Sequence, residues 1–178
     1  LNYPNEQYSH GFFIKYDTLG TIIDSNRIIK AGLNLVPGWK GSIVQHALNY
    51  NYFSAGHAQW YDSTVAGGVR SQALTMRFLP SGDTVYCKTW GDTNEYFWIN
   101  TIVPFSDTDF LIGGAVRHDI GVLSSNDFYF SRIDTTGALL WEKRVSTTYN
   151  DYMLNFFHAK NFKKIYAAGG RYINPIDD

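Results

Sequence analysis

The sequence has a single cysteine, Cys87, which excludes an internal disulfide framework and any CxxC metal or redox site. Glutamate is nearly missing, with Glu6, Glu95 and Glu142 alone, so the usual helix formers are scarce. There is no charge excess: fifteen basic residues stand against sixteen acidic ones, and the densest basic group is only Lys160, Lys163 and Lys164. Nothing in that balance draws the chain to nucleic acid or to an anionic membrane. The longest apolar run, FLIGGAV (110–116), falls far short of the roughly 20 residues of a membrane helix. No nucleic-acid partner and no membrane insertion are therefore expected. A signal-peptide pattern is missing, and the first residue is Leu1, as in a processed chain or a piece of a longer one. Asn-x-Ser/Thr sequons are also lacking, a slight weight against a eukaryotic secretory origin.

Aromatic residues are plentiful: five Trp, thirteen Tyr and twelve Phe in 178 residues. Gly, Asn, Asp, Ser and Thr are abundant too. Many aromatics, many turn formers and few helix formers imply an all-β protein.

The chain repeats itself. FFIKYDTLGTII (12–23) aligns with FYFSRIDTTGALL (128–140), placing Lys15 on Arg132, Asp17 on Asp134 and Gly20 on Gly137. A weaker copy, LTMRFLPSGDTVYCK (74–88), has Arg77 and Gly82 at those positions and Leu79 where the others have Asp. Asp can cap such a turn through its side-chain oxygen, and Gly can take the positive φ that closes a hairpin. Further on, Gly56, Gly113-Gly114 and Gly169-Gly170 match to within one residue. The first unit is about seven residues longer than the others, an excess expected around AGLNLVPGWKG (31–41).

Each unit offers four short extended segments; in the second they are 83–90, 96–104, 109–116 and 127–134. A four-stranded sheet that is apolar on both faces cannot stand alone, and stacking such sheets about an axis, as propeller blades do, buries both faces. The expected fold is an all-β segment of a β-propeller with about three blades of four antiparallel strands. The units run over 21–79, 83–134 and 138–178, with 11–17 as a strand of a preceding blade. A β-sandwich or barrel is the rival, and it leaves the long-period recurrence without a cause. In the propeller the glycines would lie in the innermost strand, and Trp90 and Trp141 would fill gaps between sheets. Three blades do not close a ring, so the remaining blades should come from a longer parent chain or from other subunits.

The units FFIKYDTLGTII and FSRIDTTGALLWEK, followed by KIYAAGG, resemble the propeller repeats of secreted and cell-surface proteins of Bacteroidota. That resemblance implies a secreted or cell-surface protein. Many such proteins leave by type IX secretion and carry a C-terminal sorting domain, which these 178 residues do not contain. DTTGALLW also approaches the quinoprotein docking motif but is one residue short before its glycine, and it is too long for a sialidase Asp box.

Reactive constellations are wanting. No nucleophile elbow, phosphate loop or HExxH helix occurs. Cys87 sits mid-strand, His10, His46, His57, His118 and His158 have no tight ligand spacing, and SDTD (106–109) lacks an EF-hand ligand run. No catalytic residue, metal ligand or cofactor is nominated. Repeat insertions map to loops that often bind, so the stretches 31–41, 58–71 and 117–126 are the places to look. Trp39, Trp60, Tyr61, Asp62 and Arg70 are the candidate ligand-binding residues, with a glycan or a protein as ligand. A non-enzymatic binding or display scaffold is expected. The alternatives are a glycan-processing or quinoprotein-like propeller enzyme whose catalytic residues lie outside this segment, and a structural spacer in a surface assembly.

Overall fold

The computed structural model describes residues 10–38, 42–64, 68–118, 125–146, 150–159 and 164–172. Every regular element among them is a strand: β1 (Gly11–Tyr16), β2 (Ile22–Ile28), β3 (Asn34–Pro37), β4 (Ile43–Gln45), β5 (Tyr52–Tyr61), β6 (Val69–Phe78), β7 (Thr84–Trp90), β8 (Glu95–Pro104), β9 (Asp109–His118), β10 (Asn126–Asp134), β11 (Leu139–Val145), β12 (Asn150–Ala159) and β13 (Lys164–Tyr172). They pair antiparallel into four sheets rather than two: β1–β2, then β5–β6–β7 with β3 and β4 both on the outer edge of β5, then β8–β9–β10–β11, then β12–β13.

The turn chemistry acts as the sequence implies. Asp17 Oδ1 accepts the amides of Leu19 (2.8 Å) and Thr21 (2.9 Å), and Asp134 Oδ1 accepts those of Thr136 (2.8 Å) and Ala138 (2.9 Å). Gly20, Gly82 and Gly137 take φ of 83°, 91° and 78°. These turns join β1 to β2, β6 to β7 and β10 to β11, neighbours within one sheet. The repeat units are therefore out of phase with the sheets by one strand: β7 pairs with β6 although it opens the unit 83–134. Hairpins carry the strong turn residues, whereas the step between sheets, 91–94, is marked by little more than Asp92, whose Oδ1 accepts the Asn94 amide (2.8 Å).

The basic residue of the repeat has a recurring partner. Arg132 donates through Nε to Asp109 Oδ2 (3.1 Å). At the matching position Arg77 Nε meets the amide oxygen of Asn51 (3.0 Å).

The sheets lie face to face in chain order. Phe13 and Ile28 of the first sheet bury against Leu35, Ala58, Leu74, Met76 and Phe78 of the second. Phe53, Ala55 and Ala73 of the second bury against Phe97, Ile99, Phe110, Ile112, Tyr129 and Ile133 of the third. Leu111, with Phe128, Phe130 and Trp141, occupies the third sheet's other face, on which β12 packs. Trp90 spans two sheets by donating from Nε1 to Tyr129 Oη (3.0 Å). Ser71 fastens the edge of the third sheet to the second: its Oγ accepts the Phe97 amide (2.7 Å) and donates to the Phe97 carbonyl (2.8 Å).

The matching glycines are Gly56, Gly114 and Gly169, on β5, β9 and β13. Both β5 and β9 are interior strands rather than the innermost edge expected from the sequence. Their smallness answers to an irregularity on the edge strand beside them. β8 carries an extra residue between Ile99 and Thr101, and β12 one between Met153 and Asn155. In the second sheet that edge is split into β3 and β4. There the Gly38 amide donates to the Ala55 carbonyl (2.9 Å) and the Ala55 amide donates to the Ser42 carbonyl (2.9 Å), so five residues stand opposite Ala55 alone. A Cβ on Gly56 would come within 2.3 Å of the Val36 carbonyl oxygen, and one on Gly114 within 2.0 Å of that of Trp98.

This register divides the seven-residue surplus of the first unit. Gly20 to Gly56 spans 36 residues where Gly82 to Gly114 and Gly137 to Gly169 span 32, so four fall at the split edge. The other three lie between Gly56 and Gly82 (26 residues, against 23 from Gly114 to Gly137), in the β5–β6 hairpin.

Candidate functional site

Four of the five nominated residues gather at the β5–β6 hairpin; Trp39 lies outside the described residues. Trp60 is half-buried and faces Arg70 across the ladder. Tyr61 is exposed, its ring covering Gly68, where an added Cβ would come within 2.8 Å of it. Adjacent residues of a strand project to opposite faces, so Trp60 and Tyr61 cannot form one stacking surface. Asp62 and Arg70 are engaged with each other: Arg70 Nε donates to Asp62 Oδ2 (3.0 Å), while Asp62 Oδ1 accepts from Thr64 Oγ1 (2.6 Å) and the Thr64 amide (2.9 Å). The Thr64 bonds, with Arg70 behind them, lower the Asp62 carboxyl to about 2. This pair fixes the hairpin rather than waiting for a ligand.

The same end of the stack carries an aromatic shelf. Tyr96 and Trp98, two residues apart on β8, share a face, with ring centroids 4.4 Å apart and planes at 42°. Arg117, opposite Tyr96 in register on β9, places its guanidinium carbon 5.3 Å from each ring centroid. Gln59 of β5 reaches from the neighbouring sheet and donates to Tyr96 Oη (3.2 Å). Burial pushes the Tyr96 hydroxyl up, so it stays a neutral donor. All three shelf residues are half-buried, and the buried Arg117 Nε has no acceptor among the described residues. Sequence reasoning missed this shelf because every repeat aromatic reads as core. The available signal was divergence between units: register puts Asn34 and Val36, then Asn150 and Tyr152, where Tyr96 and Trp98 stand.

The polar groups suited to covalent chemistry are committed elsewhere. Arg144 binds both oxygens of Glu95, Nη2 to Oε2 at 2.9 Å, and also reaches Glu142 Oε1 (3.3 Å). Glu142 Oε2 accepts from Tyr129 Oη (3.0 Å). The two carboxylates share one guanidinium and present no free acid–base pair. Burial pushes the Cys87 thiol up, away from nucleophilic use. His46 Nε2 is bound to the Asp107 carbonyl, and His57, desolvated between sheets, is lowered to about 4. Among the described residues no three of His, Cys, Asp and Glu converge as metal ligands, and no helix is long and apolar enough to cross a membrane. No protein-family model matches the chain, and no curated protein matches it.

Proposed function

We propose that the chain is a β-propeller segment acting as a non-enzymatic, extracellular binding scaffold, and that its ligand is a glycan whose ring stacks on Tyr96 and Trp98. The observation that carries this reading is the shelf: two aromatic faces held by a cation and a cross-sheet hydrogen bond, beside a guanidinium Nε–H with no acceptor among the described residues. Aromatic rings offer large contact area at little entropic cost, and an adjacent donor fixes a sugar hydroxyl or carboxylate. Successive sheets that are apolar on both faces support the propeller, and the turn and glycine motifs support the surface of a Bacteroidota cell as its place. The Glu95–Arg144–Glu142 chain favours the scaffold over a propeller enzyme, because it leaves those acids engaged.

A glycan array followed by titration of the retained glycan tests this. Trp98→Ala should weaken binding by about 2 kcal/mol, roughly 30-fold, and Arg117→Ala by a similar amount. Trp60→Ala, which faces the other way, should leave it within twofold. Unchanged affinity in Trp98→Ala, or no retained glycan at all, would overturn the reading.

A further inference from the structure

The two inner sheets have four-strand meanders, and the two outer ones have half of one each. Register identifies the halves. β12–β13 correspond to β8–β9, the first two strands of a sheet, and β1–β2 correspond to β10–β11, the last two. One end of the chain thus carries the strands that the other end leaves out.

The exposed surfaces match that division. Phe12, Ile14 and Tyr16 are 38%, 38% and 54% exposed, while their counterparts Leu74, Met76 and Phe78 are 0%, 1% and 2% exposed, and Tyr129 and Ile133 are 0%. On β13, Ile165 and Tyr166 are 40% and 54% exposed, against 0% and 1% for Phe110 and Leu111 at the same places on β9. An unpaired edge beside an apolar face is a template for another strand.

We propose that β1 of one copy of this chain adds to the free edge of β13 of a second copy, completing a four-stranded sheet, and that two copies joined twice in this way close a ring. Carrying the β9–β10 register over to this junction sets Phe12 opposite Gly169, Ile14 opposite Ala167 and Tyr16 opposite Ile165. It also sets Asp17 opposite Lys164, a favourable charge pair. Gly169 then plays for Phe12 the part that Gly114 plays for Tyr129. The outer face of the β1–β2 sheet comes to rest on the partner's third sheet, beside Phe128 and Trp141. The contact is heterologous, head to tail, so it must close or polymerise. Each chain supplies two whole sheets and two halves, so two chains make six, inside the four-to-eight range of propellers, whereas one chain falls below it and three exceed it. The inference rests on the stacked-sheet part of the reading above and not on its ligand, so failure of the glycan test leaves it standing.

Sedimentation equilibrium of the 178-residue chain should give twice the 20.3 kDa of one chain, and Ile14→Lys, at a position already exposed, should return the mass to that of one chain. In a Cys87→Ser background, Ile14→Cys and Ala167→Cys chains should each stay uncrosslinked alone and form a disulfide-linked pair when mixed and oxidised. A monomeric parent chain at micromolar concentration, a dimer that survives Ile14→Lys, no crosslink in the mixture, or crosslinking of Ala167→Cys with itself would each overturn the proposal.

Discussion

Replacing Gly114 by alanine tests the close approach between β8 and β9. The new methyl carbon would stand 2.0 Å from the Trp98 carbonyl oxygen and 2.8 Å from Ile99 Cα. Both neighbours are backbone, so no side chain can swing aside, and β8 must retreat by about 1 Å or more to restore ordinary contact beyond 3 Å. Such a retreat lengthens the ladder bonds flanking the Ile99–Thr101 irregularity past the hydrogen-bonding range. Overpacking costs about 1–3 kcal/mol, and each weakened ladder bond adds up to about 1 kcal/mol, so a loss of about 3 kcal/mol is expected. For a chain of this length that lowers the melting temperature by roughly 6–12 °C. The comparison is Gly20→Ala, which has open space around it and φ of 83°; its cost is the left-handed backbone alone, about 1 kcal/mol. Urea unfolding at fixed slope reads both. If Gly114→Ala proves no more damaging than Gly20→Ala, the glycine is not there for want of room and the argument fails.

His57 predicts a pH signature. The unfolded imidazole takes up a proton below 6.5, while the buried native one refuses it until about 4. Its contribution is thus present in full above 6.5 and declines as pH falls from there toward 4, by up to about 3 kcal/mol. Denaturation midpoints between pH 4.5 and 7.5 should flatten in His57→Leu relative to the parent, and parallel curves would refute it. Ser71→Ala leaves the buried amide and carbonyl of Phe97 without their partner, which should cost about 2 kcal/mol and speed hydrogen exchange at the Phe97 amide. A change under about 0.5 kcal/mol with unaltered exchange would show that Ser71 is not a clamp.

What the sequence disclosed follows from which interactions are local. Asp17, Asp134 and their glycines act within five residues, so the hairpins and the repeat were legible. The phase of the sheets was not, because β7 leaves β6 by a strongly marked turn and reaches β8 by a weakly marked one. Asp62 and Arg70 were picked out as polar residues flanking exposed aromatics; only the ladder, pairing Trp60 with Arg70, reveals that they spend their charges on each other. Tyr96 and Trp98 were hidden by alternation itself: Phe97 and Ile99 between and beyond them are core, and one strand cannot tell which face is covered. The single added residue in β8 shifts that alternation and was invisible for the same reason.

The edge strands suggest how such a chain can acquire new surfaces. At one level of the stack β8 and β12 each absorb a lone supernumerary residue, while the corresponding edge of the second sheet takes in a five-residue excursion tied off at its neck by Ala55. Pairing resumes on both sides, Pro37 with Gly56 and Ile43 with Ser54. Length can therefore grow at this port without disturbing what lies above or below, so each sheet offers evolution, or an engineer, an independent socket for a grafted loop.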